Sequence, residues 1–368
     1  MRAGTRRGAR WLAGGWAVAV GLAATLMAGP AQASPTPFTY SSVAWTGSSA
    51  IVAGTDSKGD LYYFSEGFLS RTFSPQLVAT GQHFTGAPAI AVTGTTVSIA
   101  VSQGSQVDYW YQVSGTGRWH EQQVAAARGT SYGPAAIGWT GSRVIIAASD
   151  THNGLDYLNY WYEPVGTRTW HEEQVATDVY YNYVFPPSIG WTGRHVIIAF
   201  IDIIGRLYFW YQDAGTTTWH QQLVKYLGFP TFTDPSMAWT GSKIVITARI
   251  QGAGVLDYWY ELAGTKTWHE QVVAQNIYAP PAIAGTGSSV VITATSEHGN
   301  LEYWSQAAGT KTWNNQQVAA APGVTGFANA SIAEAHGAVI ITAVDRSSGN
   351  LDYWSGPRPW NEQQVAAG

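Results

Sequence analysis

The chain contains no cysteine. Disulfides, thiolate chemistry and cysteine-ligated zinc are therefore excluded, and the folded protein must be held by its packed interior. Charge is also scarce: only 11% of the 368 residues are Asp, Glu, Lys or Arg, and 19 basic residues face 23 acidic ones. A chain without a basic surface is a poor partner for nucleic acid or for an anionic membrane. An uncharged ligand suits it better. Helical periodicity is missing after residue 34, and with it any amphipathic helix. What the chain has in quantity is aromatic residues, 13% of the total, including 18 Trp and 20 Tyr.

The first 33 residues read as a secretory leader rather than as part of the fold. Arg2, Arg6, Arg7 and Arg10 make a basic start, "WAVAVGLAATLMAG" is an apolar run too short for a comfortable membrane span, and "AQA" at 31–33 places small residues for cleavage after Ala33. Residues 34–368 are expected to form one exported, extracellular domain that does not insert into a membrane. Without the four arginines, 15 basic residues face 23 acidic ones, a net charge of −8.

That domain is repetitive. A glycine, usually in "WTG", recurs at Gly47, Gly94, Gly141, Gly193, Gly241, Gly287 and Gly337, at spacings of 47, 47, 52, 48, 46 and 50. All sixteen Trp beyond the leader fall in three columns of this repeat. The first is Trp45, Trp139, Trp191 and Trp239. The second is Trp110, Trp161, Trp210, Trp259, Trp304 and Trp354. The third is Trp119, Trp170, Trp219, Trp268, Trp313 and Trp360. Each unit reads as four strands, A to D. In the fifth, "PSMAWTG" and "SKIVITARI" meet at a tight Thr240-Gly241-Ser242 turn, and "LDYWYEL" and "TWHEQVVA" meet through "AGTK". Aromatics on both faces of strand C imply sheets packed on both sides. Seven such units without polar caps predict an all-β fold, a seven-bladed β-propeller of four-stranded antiparallel blades. Closure would then rest on packing of blade seven against blade one, not on a shared strand.

The phrase "GTKTW" at Gly264–Trp268 resembles the second half of the Asp-box of sialidase-type propellers, S-x-D-x-G-x-x-T-W, a structural hairpin between strands C and D. Among these hairpins blade four also supplies the acid, Asp213. The pattern "LDYWY…GxxTW" after a V-I-x-A strand resembles bacterial seven-bladed propeller lectins, a likeness that implies fucose-type sugars held between blades. No binding residue is matched one by one.

Candidate ligand contacts come from the least repetitive segments, the D-to-A loops. One aromatic recurs seven or eight residues ahead of strand A: Phe38, Phe84, Tyr132, Tyr183, Phe232, Tyr278 and Phe327. These rings either plug the seams between blades or line pockets. Strand B ends in Asp56, Asp150, Asp202 and Asp345, with Ser102 and Ser296 in the same place. Such acids either fold back onto the next turn or face a ligand. His120, His171, His220 and His269 lie too far apart around a ring to share a metal ion, and no cofactor or metal is expected. Asp108, Asp257, Glu302 and Asp352 read as structural parts of strand C.

Rings for stacking on sugar C–H faces, beside acids that accept hydroxyl hydrogen bonds, are what a neutral glycan requires. The expectation is a non-catalytic, secreted carbohydrate-binding propeller whose partner is a glycan on a cell surface or polysaccharide. The alternatives are a protein-interaction or structural propeller and a glycosidase. The last needs a carboxylate pair or a Tyr nucleophile with clustered arginines, and the arginines here are scattered.

Overall fold

The structure, a computed structural model, describes residues 36–67, 72–84, 86–113, 116–177, 186–202, 204–228, 232–287, 289–321, 323, 325–357 and 359–368. The expected leader and Tyr183 lie outside the described residues. Among the described residues all regular structure is β: seven antiparallel sheets, each running in chain order from inner strand A to outer strand D. Blade one is Phe38–Trp45, Ala50–Asp56, Leu61–Glu66 and Phe73–Ala79. Blade five is Phe232–Trp239, Lys243–Ile250, Val255–Leu262 and Trp268–Ala274. Blade three differs by a short extra strand, Thr130–Tyr132, paired to an extended strand B.

Strand B is buried along its length, as Ala50–Asp56 illustrates, because each sheet is covered by a neighbour on either face. The core is accordingly divided among seven clusters, one per seam. Ile51, Ala53 and Tyr63 of blade one meet Ile90, Ile99 and Trp110 of blade two, and Val344 and Tyr353 of blade seven meet Val43 and Phe64 of blade one. The seventh seam closes the ring without a shared strand, as the uncapped repeat implied.

Third-column rings tie the seams together. Each packs edge-on against a strand-C ring of the preceding blade: Trp119 on Tyr63, Trp170 on Tyr109, Trp219 on Tyr160, Trp268 on Phe209, Trp313 on Tyr258 and Trp360 on Tyr303, at 5.1–5.3 Å between centroids. Phe73 completes the circle on Tyr353 at 5.1 Å. Near the channel, serine hydroxyls of one strand A accept backbone N–H groups from the next: Ser188 from Met237, Ser236 from Ile283 and Ser331 from Val43.

A-to-B turns and C-to-D hairpins open on one side of the ring, here the hairpin face. B-to-C turns and D-to-A loops open on the other, the loop face. The recurrent A-to-B turn needs glycine at its first central position, where Gly241 has φ +90°. In the C-to-D hairpins Thr116, Thr167, Thr216, Thr265 and Thr310 each donate a hydroxyl to the carbonyl three residues earlier, at 2.8–2.9 Å. The repeated phrase is thus a hairpin lock followed by a seam ring.

Candidate functional site

On the loop face the expected ring-and-acid pockets are not assembled. Phe38, Tyr132, Phe232 and Phe327 are 0–6% exposed, and each packs edge-on against a strand-C ring of its own blade, Phe64 in blade one and the second-column Trp161, Trp259 and Trp354 in the others. Phe84 does the same on Trp110 and is half-buried. A ring enclosed in this way has no face to offer a sugar, so these residues plug seams. In blade six the plug is the preceding residue, Ile277, buried among Tyr258 and Trp304. Tyr278 is displaced outward, 53% exposed, with the Arg346 guanidinium 5.4 Å over its ring.

The strand-B acids are also committed. Asp56 accepts the backbone N–H groups of Lys58 and Asp60, Asp202 those of Ile204 and Arg206, and Asp345 that of Ser347. These are turn formers. Hydroxyl bonds and a raised number of donors hold the Asp345 carboxyl below its ordinary value, although its burial acts in the opposite sense. Asp150 is bound by Asn159 and His152. Ser102 and Ser296 occupy the same position but line none of the cavities described below. His120, His171, His220 and His269 stack on Tyr111, Tyr162, Tyr211 and Tyr260 on the outer flank.

A cavity of about 460 Å³ does open on the loop face between blades seven and one, edged by Phe38, Asn329 and Arg346 but by no strand-B acid, and the hairpin face carries two further concave sites at seams. Between blades four and five lies a cavity of about 480 Å³, lined by Phe209, Tyr211, Gln222, Trp239, Glu261 and Lys266 among others. Between blades two and three the equivalent positions, Tyr109, Tyr111, Gln122, Trp139, Glu163 and Arg168, line one of about 190 Å³. Both follow the same plan. The earlier blade gives two strand-C rings and a strand-D glutamine. The later blade gives a first-column Trp, a strand-C glutamate and a basic hairpin residue. Arg168 and Lys266 share an unusual left-handed φ, +54° and +55°, and the backbone N–H of each is bonded to the glutamate five residues before it.

These glutamates are the chemically distinctive groups. Glu163 is 9% and Glu261 3% exposed, and in each Oε2 has no hydrogen-bond partner among the described residues. Burial pushes both carboxyls above their ordinary values, offset in part by the hairpin N–H and the nearby cation. A buried carboxylate with an unused acceptor is costly unless a donor reaches it. The cavity between blades four and five adds His195, whose Nε2 lies 2.8 Å from Asp213 Oδ1. The glutamates, the hairpin cations and the first-column Trp were not singled out as ligand contacts by sequence. Their signal was a column reading Gln112, Glu163, Gln212, Glu261, Gln306.

No family model matches the chain, and no curated protein does. Solved structures do. The BP39L lectin from Burkholderia pseudomallei superposes with a TM-score of 0.68 at 14% identity, over 91% of this chain and 99% of that one. A fucose-specific lectin from Aleuria aurantia gives 0.53 at 13% identity, over 77% and 96%. A Hadza microbial sialidase gives 0.50 at 10% identity, over 80% and 70%. At such identities the likeness is one of fold.

Proposed function

We propose that this chain is an exported, non-catalytic lectin that holds neutral sugar residues in the inter-blade pockets of its hairpin face. The observation that carries the reading is the pairing, twice over, of half-buried aromatic rings with a buried glutamate whose Oε2 lacks a partner. Trp139 and Trp239 offer apolar surface for sugar C–H groups. Glu163 and Glu261 accept from hydroxyls, and Arg168 and Lys266 donate to ring or hydroxyl oxygens. Each glutamate is offset by one hairpin cation, which favours an uncharged ligand. Two of the structures of similar fold are described as lectins, one of them as fucose-specific, and a fucose-type sugar is the first ligand to test.

Glu163 is the single carboxylate lining the cavity between blades two and three, so the usual paired-carboxylate route of glycoside hydrolysis is not available there; the cavity between blades four and five has Glu261 and Asp213, the latter held by His195. Export is supported by the basic start, apolar run and "AQA" of residues 1–33. A second reading, a protein-binding propeller, is favoured by one observation: Leu223, Tyr226 and Val272 stand 53–59% exposed on the outer strands of blades four and five.

A glycan array probed with residues 34–368 decides between them. Saturable binding to neutral glycans, abolished by Trp139→Ala with Trp239→Ala, supports the lectin. An array without saturable binding would turn the proposal towards the protein-binding reading.

A further inference from the structure

The strand-C position held by Glu163 and Glu261 carries glutamine in the blades between and beside them, and the two residue types do different things. Gln112 donates its amide to Gln76 Oε1 of the preceding blade at 2.9 Å, and Gln306 donates to Gln271 Oε1 at 2.8 Å. Gln212 donates to Glu173 Oε2. Each of these bonds crosses its seam at the place where the two cavities open. In blades three and five the crossing bond is missing. Among the described residues Gln122 and Gln222, the residues that would receive it, accept only the indole N–H of Trp170 and Trp268, both at 3.0 Å.

Elementary donor chemistry explains the difference. At Gln122, Gln222 and Gln271 the indole N–H of the next blade's third-column Trp turns the strand-D amide so that its oxygen faces the seam. A glutamine can donate to that oxygen. An ionised glutamate, which only accepts, cannot. It turns instead to the nearest donor, the hairpin N–H of Arg168 or Lys266, and the seam is left unbridged.

We infer that this position gates its seam: glutamine seals it, glutamate leaves it open to ligand, and the chain therefore has two working pockets rather than seven. The inference rests on the lectin reading above. The seam between blades six and seven is filled in another way. Gly356 stands at the gate, and a Cβ there would lie 2.4 Å from the Trp360 ring. The seam between blades seven and one has Glu66 and Trp45 but Ser355 where the open seams place Tyr111 and Tyr211, so its ring pair is incomplete. The seam between blades three and four is complete in its rings, with Tyr160, Tyr162 and Trp191, and differs from the open seams at its gate and in having Thr217 at the hairpin.

The test is a calorimetric titration of residues 34–368 with methyl α-L-fucoside. The wild type should bind two equivalents, and Glu163→Gln or Glu261→Gln one each. The decisive variant restores the open-seam pair at the third seam: Gln212→Glu with Glu173→Gln should raise the stoichiometry to three, which loss of a structural contact would not do. A wild-type stoichiometry other than two, or a gate exchange that leaves it at two with the melting temperature unchanged, overturns the gating inference but leaves the lectin reading standing. Absence of binding by the wild type, with neutral glycans also unbound on the array, overturns both.

Discussion

Individual side chains in this ring are placed by what they can hydrogen-bond as much as by hydrophobicity. Asp352 and Asp257 sit buried in strand C. Burial raises their carboxyls to about 7 and about 6, with Glu362 and Asp345 adding to the first and Glu270 to the second while Lys225 opposes it. Raised folded-state values mean that the folded protein binds these protons more tightly than the unfolded chain does. The resulting stability is present below about pH 4 and is lost as pH rises through about 7. Asp352→Asn, which imitates the protonated form, should stabilise the fold at pH 8 by on the order of 2 kcal/mol, raising the melting temperature there, and leave it unchanged at pH 4. A thermal scan across pH that shows the variant less stable at pH 8 would refute this assignment. The seam plugs behave differently. Phe232 is fully enclosed on Trp259, so Phe232→Ala should cost about 3–5 kcal/mol. Tyr278→Ala, at an exposed ring, should cost less than about 0.5 kcal/mol. Equal losses in chemical denaturation would contradict their separation into plug and surface ring.

The blade was legible from its sequence because its constraints repeat. Glycine at the A-to-B turn and an aromatic on each side of every seam recur seven times and threonine at the hairpin five times, so their spacing revealed strand count, blade count and closure. The seam-packing role of the third column was legible for the same reason. The proposed ligand contacts were not. Variation drew attention to the D-to-A segments, but Phe38, Phe232 and Phe327, expected seven or eight residues ahead of strand A, are its first residues, and with Tyr132 they are enclosed by strand-C rings of their own blades. The cavities lie in the most repetitive part of the blade, where the gate of an open seam differs from that of a glutamine-bridged seam by a carboxylate in place of an amide. That exchange is silent in hydropathy and acquires meaning only when the neighbouring strand-D amide is in place. Trp268 serves both roles, packing on Phe209 and orienting Gln222. Trp268→Phe should therefore keep most of the packing and lower the melting temperature by only a few degrees. It should weaken sugar binding at that seam, because Gln222 loses the donor that turns it. Unchanged binding in the variant would separate the third column from the site.

At the scale of the whole ring, closure is made by the same contacts that join any two blades: Phe73 on Tyr353, Ser331 to Val43, and a shared core cluster. A ring closed by seam packing and a few hydrogen bonds, among them Phe38 N–H to the Gly349 carbonyl, and not by a shared strand, is expected to unfold as one unit, since opening any seam exposes two sheet faces. The two open seams lie two blades apart on one face, so a surface dense in glycans can occupy both together, and linked sites gain affinity on the order of a hundredfold when the geometry permits. The most direct test is a crystal structure of residues 34–368 with methyl α-L-fucoside. The account predicts sugar density on the hairpin face beside Trp139 with Glu163 and beside Trp239 with Glu261. Sugar bound instead on the loop face beside Tyr278, or at seams bridged by Gln112 and Gln306, would contradict it.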